Sequence, residues 1–189
     1  LTGGVTFYKS NVNISDSHFT SSSAEDMINI IKSRYFISNT VLSNTKSDAL
    51  DSDFSEGYID NLVIEGVGGD AIDISGSDLI ISNLIVNQVK DKAISAGESS
   101  RVNISKCSFN HIGVGIAAKD GSDVIASDCQ IKNTELSALM SYTKKSFYGK
   151  PSLDIRLSNL DVKTKFIRQH GSKLVIDGEL VASSDLDVD

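Results

Sequence analysis

Tryptophan is absent from this chain, proline occurs once (Pro151), and aromatic residues make up only 6% of it. Large rings therefore cannot fill its interior. No apolar run approaches the ~18 residues that a membrane-spanning helix needs, which excludes membrane insertion by that route. There is no cluster of basic residues, and the net charge is −7. Both features argue against nucleic acid or an anionic membrane surface as the partner. A Gly-rich phosphate loop, a Ser–His–Asp order and a nucleophile elbow are also missing. His18, His111 and His170 form no metal-ligand spacing and are read as structural. The opening "LTGGVTF" has neither Met nor a signal peptide, so the chain is expected to be a piece of a larger protein whose other domains are missing.

What the chain does have is a period. Hydrophobic residues are 40% of it, and they recur every 22 or 23 positions. One column reads Val5, Ile28, Leu50, Ile72, Ile94, Ile116, Leu139. A second reads Ile14, Ile37, Ile59, Ile81, Ile104, Ala126, Leu157, and a third Phe19, Leu42, Ile64, Val86, Phe109, Ile131, Val162. Between them runs a turn column, Asp16, Asn39, Asn61, Asn83, Lys106, Asp128, Asn159, rich in the residues that tolerate left-handed backbone. Each unit holds three short alternating segments and cannot bury its apolar face alone, so the units must stack. Three strands in about 22 residues predict an all-β, right-handed parallel β-helix of roughly eight coils. Equivalent residues then lie about 4.8 Å apart. The whole chain, 1–189, reads as a single β-helix domain.

The column Ser17, Thr40, Leu62, Leu84, Cys107, Cys129, Leu160 also points inward. Stacked cysteines on adjacent coils fall within disulfide range, and they can equally stay reduced as small apolar residues. One coil is longer than the rest, and the excess lies in an inserted loop at 142–151, "SYTKKSFYGKP", with Tyr142, Lys144, Lys145 and Tyr148 as candidate ligand contacts. Loops that leave a regular scaffold often carry function, although insertions are also simply tolerated there.

The stretch "GGDAIDISGS" alternates aspartates with inward Ile72 and Ile74, so Asp73 faces out. The outward column through it reads Asn29, Asp51, Asp73, Ser95 on successive coils. Asp53 belongs to the next outward column, and Asp26, Asp48, Asp70 and Lys92 stack in the turn before the strand. No Lys or Arg occurs between Lys46 and Lys90 to neutralise this flank. Like charges about 5 Å apart should raise one another's pKa or hold a cation. Calcium, which takes six to eight oxygen ligands, suits Asp48, Asp51, Asp70 and Asp73. Asp51, Asp53 and Asp73 with Lys92 or Lys119 are the candidate catalytic groups of a polysaccharide lyase, hydrolase or epimerase. A solvated acidic face that hinders aggregation accounts for the same residues.

"GGDAIDISGSDLIISNLIV" followed by "KDKAISAGESSRVNISKCSF" resembles the pectin-lyase-like β-helix superfamily over nearly the whole chain. "GGDAID" is similar to the active-coil motif of polygalacturonases, with Asp70 and Asp73 matching its two aspartates. The next coil carries Lys90, Asp91 and Lys92 where that family has an aspartate pair, and "GVGIAAKDGS" lacks its histidine. "SDALDSDFS", "GDAIDISGS", "KAISAGE" and "GIAAKDGS" on successive coils are similar to β-helix modules found beside spore-coat-protein-H-like kinase folds in bacterial surface proteins. That resemblance implies a secreted, periplasmic or cell-surface setting. The preferred expectation is a domain that interacts with polysaccharide, with calcium as a possible cofactor. An enzyme on the same face is the first alternative, and a structural spacer or adhesin stalk the second.

Overall fold

The computed structural model describes residues 3–160 and 166–184. The chain winds as a solenoid of about eight turns, and its strands join into one continuous sheet that wraps around the core. On the first face, Gly3–Tyr8, Asp26–Ile31, Asp48–Asp53 and Ile72–Ser75 run parallel. The face continues through the ends of three long strands, Asp78–Gly97, Arg101–Lys119 and Asp123–Tyr142. These strands turn two corners without losing their pairing, so each long strand forms most of a coil.

The predicted columns are the register. Val5 pairs with Ile28, then Leu50, Ile72, Ile94, Ile116 and Leu139 follow coil by coil. From Ile28 onward every one is inaccessible to solvent. Branched aliphatic side chains stacked at strand spacing interdigitate along the axis, which packs the core without large rings. Asp16, Asn39, Asn61, Asn83, Lys106 and Asp128 all take left-handed φ, between 47 and 55°. The Asn61 amide donates to Asn39 Oδ1 at 2.8 Å, and that of Asn39 to Asp16 Oδ1 at 3.2 Å.

Beyond the inserted loop the columns shift by two residues. Ser152–Arg156 pairs with Asp123–Ser127, which sets Ile155, not Leu157, against Ala126. Leu157 instead takes the left-handed turn position, at φ 51° and 84% exposed. Ser158 stands opposite Cys129, whose N–H donates to its hydroxyl across 29 residues of sequence. Leu160 pairs with Ile131, so it replaces Val162 in the third column and leaves the cysteine column to Ser158. Val162 itself lies outside the described residues. Asn159 is part of a short strand rather than the turn.

Cys107 and Cys129 pair directly in the register and form a disulfide, with their Cα atoms 4.4 Å apart. A serine ladder that the sequence reading did not single out fixes one corner. The N–H groups of Ser10, Ser33, Ser55, Ser77 and Ser100 each donate to the hydroxyl of the serine one coil on, ending at Ser122. The last described strands form a hairpin, Lys173–Ile176 against antiparallel Glu179–Leu180. Among the described residues no helix is long and apolar enough to cross a membrane.

Candidate functional site: an acidic face over coils two to four

Alternation along the strands of the first face puts Ile72 and Ile74 inside and Asp73 outside. The register then builds the outward column Asn29, Asp51, Asp73, Ser95, Ala117, Met140. Asp53 stands two residues on from Asp51, in register with Ile31 and Ser75. At the preceding corner Asp26 pairs with Asp48. There the side chains lean along the helix axis. Asp48 Oδ1 accepts the Asp70 N–H at 2.7 Å, and Asp70 Oδ1 accepts the Lys92 N–H at 2.9 Å. Each aspartate thus satisfies a backbone donor of the coil above it, a local role that fixes its position.

One carboxylate oxygen from each of Asp48, Asp70 and Asp73 lies within 4.8 Å of the others. Asp51, the fourth predicted metal ligand, stands outside this triad, and its Oδ2 accepts the Asn29 amide at 2.7 Å. The same amide reaches Asp26 Oδ2 at 3.3 Å. Two polar atoms of this column are left over. Asn29 Oδ1 and Ser95 Oγ are buried and have no hydrogen-bond partner among the described residues. The sequence places both in the column that contains Asp51 and Asp73, but it does not show that they lack partners.

Burial is the main reason these acids resist ionisation. It pushes Asp51 up to about 8, with Asp53 and the other nearby carboxylates adding repulsion. Asp48 is pushed up to about 6 by burial and by Asp70 and Asp73, against the hydrogen bond from Asp70. Asp53 and Asp70 are also raised, again mainly by burial, which Lys92 opposes at Asp70. The Lys92 ammonium lies 3.4 Å from Asp70 and 2.6 Å from Asp91. Burial pulls its pKa down, but the two carboxylates outweigh that and leave it raised. Lys119 sits 3.9 Å from Asp73. The face therefore pairs an end where ionisation is disfavoured, at Asp51 and Asp53, with a cationic end at Lys92 and Lys119.

The proposed loop contacts divide. Tyr142 ends its strand and is buried against Val114, Ala117, Met140 and Ile167, so it closes the face's far end and presents no free ring to a ligand. The N–H groups of Lys144 and Lys145 donate to Asp120 Oδ1 at 2.6 and 2.5 Å. The Lys145 ammonium pairs with Glu98, and the Tyr148 hydroxyl donates to the same carboxylate at 3.3 Å. A Cβ on Gly121 would come within 2.2 Å of the Tyr148 carbonyl, so only glycine lets the loop lie this close. The insertion is strapped to the coils, and of the four proposed contacts only Lys144 has an exposed side chain without a hydrogen bond or ion pair among the described residues.

A family model described as right-handed beta helix region matches residues 26–150 of the chain. No curated protein matches the sequence. Among solved structures, trypsin-treated QnrB1, a plasmid-mediated fluoroquinolone resistance protein, is similar at 11% identity, covering 83% of this chain and 93% of that one. Its TM-score is 0.17, too low to support any argument.

Proposed function

Since the chain belongs to the right-handed β-helix family, we propose that its acidic face binds polysaccharide. The observation that carries this reading is the packing of Asp51, Asp53 and Asp73 on one face with Asp48 and Asp70 at the corner beside it, burial holding Asp51 near 8. A protonated carboxyl donates a hydrogen bond and an ionised one accepts it, so such a row suits the hydroxyls of a sugar chain laid along the coils. The outward column runs straight along the axis, which fits an extended polymer.

A divalent cation fits the same face. Asp48, Asp70 and Asp73 offer oxygens within 4.8 Å, and the orphaned Ser95 hydroxyl on the next coil adds another oxygen. Calcium bound there would supply positive charge against an acidic sugar. A bacterial secreted, periplasmic or cell-surface setting is consistent with the Cys107–Cys129 disulfide, and with the likeness to modules beside spore-coat-protein-H-like domains. The test is a thermal melt in EDTA and in calcium. Calcium should raise Tm, and Asp70→Asn/Asp73→Asn should abolish the rise. An equal rise in the variant removes the cation from this reading.

A second reading is supported by Asp51 and Asp73 themselves. They are paired in the register, one held protonated by burial and the other facing Lys119 at 3.9 Å. That is an acid beside a potential base, as a hydrolase, lyase or epimerase needs. Turnover of polygalacturonate, followed by new reducing ends and by unsaturated-product absorbance, decides it. Loss of turnover in Asp51→Asn with Tm preserved supports the enzyme, and no turnover in the parent protein rejects it for this substrate.

A further inference from the structure

Around the corner from the acidic face lies a groove of about 570 Å³, lined by Lys46, Lys90, His111 and Gln88 over the bare backbone of Gly66 and Gly68. Backbone bonding places these residues. The Lys46 N–H donates to Ser22 O and the Gly68 N–H to Thr45 O, so Lys46, Gly68 and Lys90 occupy one corner position on three successive coils. The two lysines are therefore two coils apart, roughly 9.6 Å along the axis, with a glycine between them. A Cβ on Gly68 would lie 2.0 Å from the Lys46 carbonyl oxygen, so the notch stays open because no side chain fits there. Thr45, Val67 and Val89, all buried, form the floor, and the Thr45 hydroxyl has no hydrogen-bond partner among the described residues.

The charges point to the occupant. Among the described residues neither Lys46 nor Lys90 is ion-paired, in a chain whose net charge is −7. Glu135 is the one acidic side chain in the lining. Two unpaired ammonium groups either side of an open notch, with His111 beside them, suit an oxyanion, which accepts hydrogen bonds from both.

We propose that this groove binds the anionic group, carboxylate or sulfate, of an acidic polysaccharide. The inference rests on the polysaccharide reading above and narrows it to polymers that carry negative charge. Lys46 and Lys90 clamp one group over Gly68, and the polymer runs along the corner beside the acidic face. Dispersed surface lysines would give weak, uniform attraction, whereas this clamp requires both residues.

The experiment compares the parent chain, Lys46→Gln/Lys90→Gln and Asp51→Asn/Asp73→Asn by titration calorimetry with polygalacturonate, neutral dextran and sodium sulfate in calcium-containing buffer. Both lysines are exposed, so the lysine variant keeps its fold, checked by an unchanged Tm. The expected result is a roughly tenfold weaker affinity of the lysine variant for polygalacturonate, with less salt dependence and no change toward dextran. Single Lys90→Gln should account for most of that loss if the two act as a clamp. Unchanged affinity of the lysine variant overturns the proposal, as does sulfate binding that polygalacturonate does not displace. Loss of binding in the aspartate variant alone leaves the acidic-face reading standing and removes the groove. Loss in the lysine variant alone does the reverse.

Discussion

The Asp70 backbone N–H donates to the Asp48 carboxylate at 2.7 Å, and the Lys92 N–H repeats the bond with Asp70 one coil further on. The aspartates that look most like metal ligands are thus also part of the scaffold. Replacing Asp48 or Asp70 tests structure and site together, whereas Asp51 and Asp73 make no such inter-coil backbone bond among the described residues.

Lys92 is the only cation within ion-pairing distance of Asp70 among the described residues, and both side chains are largely buried. Lys92→Met should destabilise the fold by about 3 kcal/mol, because a buried carboxylate is left without its partner. Urea unfolding of the variant measures this. A change below about 1 kcal/mol would show that Asp70 takes up a proton at little cost.

Asp51 governs part of the pH response. Its folded-state pKa of about 8 lies above the ordinary 3.8, so between those values the native state holds a proton that the unfolded chain has released. Stability should therefore fall as pH rises from about 4 to about 8. Asp48 contributes in the same direction up to about pH 6. Asp51→Asn should flatten the profile and raise Tm at pH 8, by about 2–4 °C per kcal/mol of relieved strain. A profile with the same slope in the variant contradicts the assignment.

Leu157 carries a β-branch-free but bulky side chain in left-handed backbone, with φ 51°, where five of the six earlier coils place Asn or Asp. Leu157→Asn should stabilise the fold by about 1 kcal/mol, since Asn tolerates that conformation. Equal stability of the two proteins would mean that the turn relaxes around the leucine.

The Cys107–Cys129 bridge closes a loop of one coil, with a sequence separation of 22. Its removal in Cys107→Ala/Cys129→Ala should cost about 3 kcal/mol, seen as a lower urea midpoint under oxidising conditions. Identical midpoints with and without reductant in the parent chain would place the bridge outside the stability of the fold.

The period was legible because each apolar column repeats one chemical demand, a buried strand residue, every coil. Asp16, Asn39, Asn61, Asn83, Lys106 and Asp128 were legible as turns for the same reason. Leu157 was misplaced because the inserted loop breaks the count: Leu157 and Ile155 are both apolar, and only pairing with Ala126 tells them apart. The acidic face followed from alternation around Ile72, but the burial of Asp51 did not. It depends on how the folded side chains pack around Asp51, among them the Asn29 amide bonded to it, which no period encodes. Ser33, Ser55, Ser77, Ser100 and Ser122 were legible at coil spacing, yet serines are common in this chain and only the hydrogen bonds single them out. Lys46, Gly68 and Lys90 likewise repeat at coil spacing, and their meaning appears only once the corner is folded.

The most direct measurement is calorimetric titration of polygalacturonate into the parent chain and into Asp51→Asn/Asp73→Asn, in calcium and in EDTA. The account predicts saturable binding by the parent chain that weakens in EDTA and is lost in the variant, while the variant's Tm is unchanged or higher. Equal binding by both proteins would contradict it and leave the acidic face as the solvated side of a solenoid.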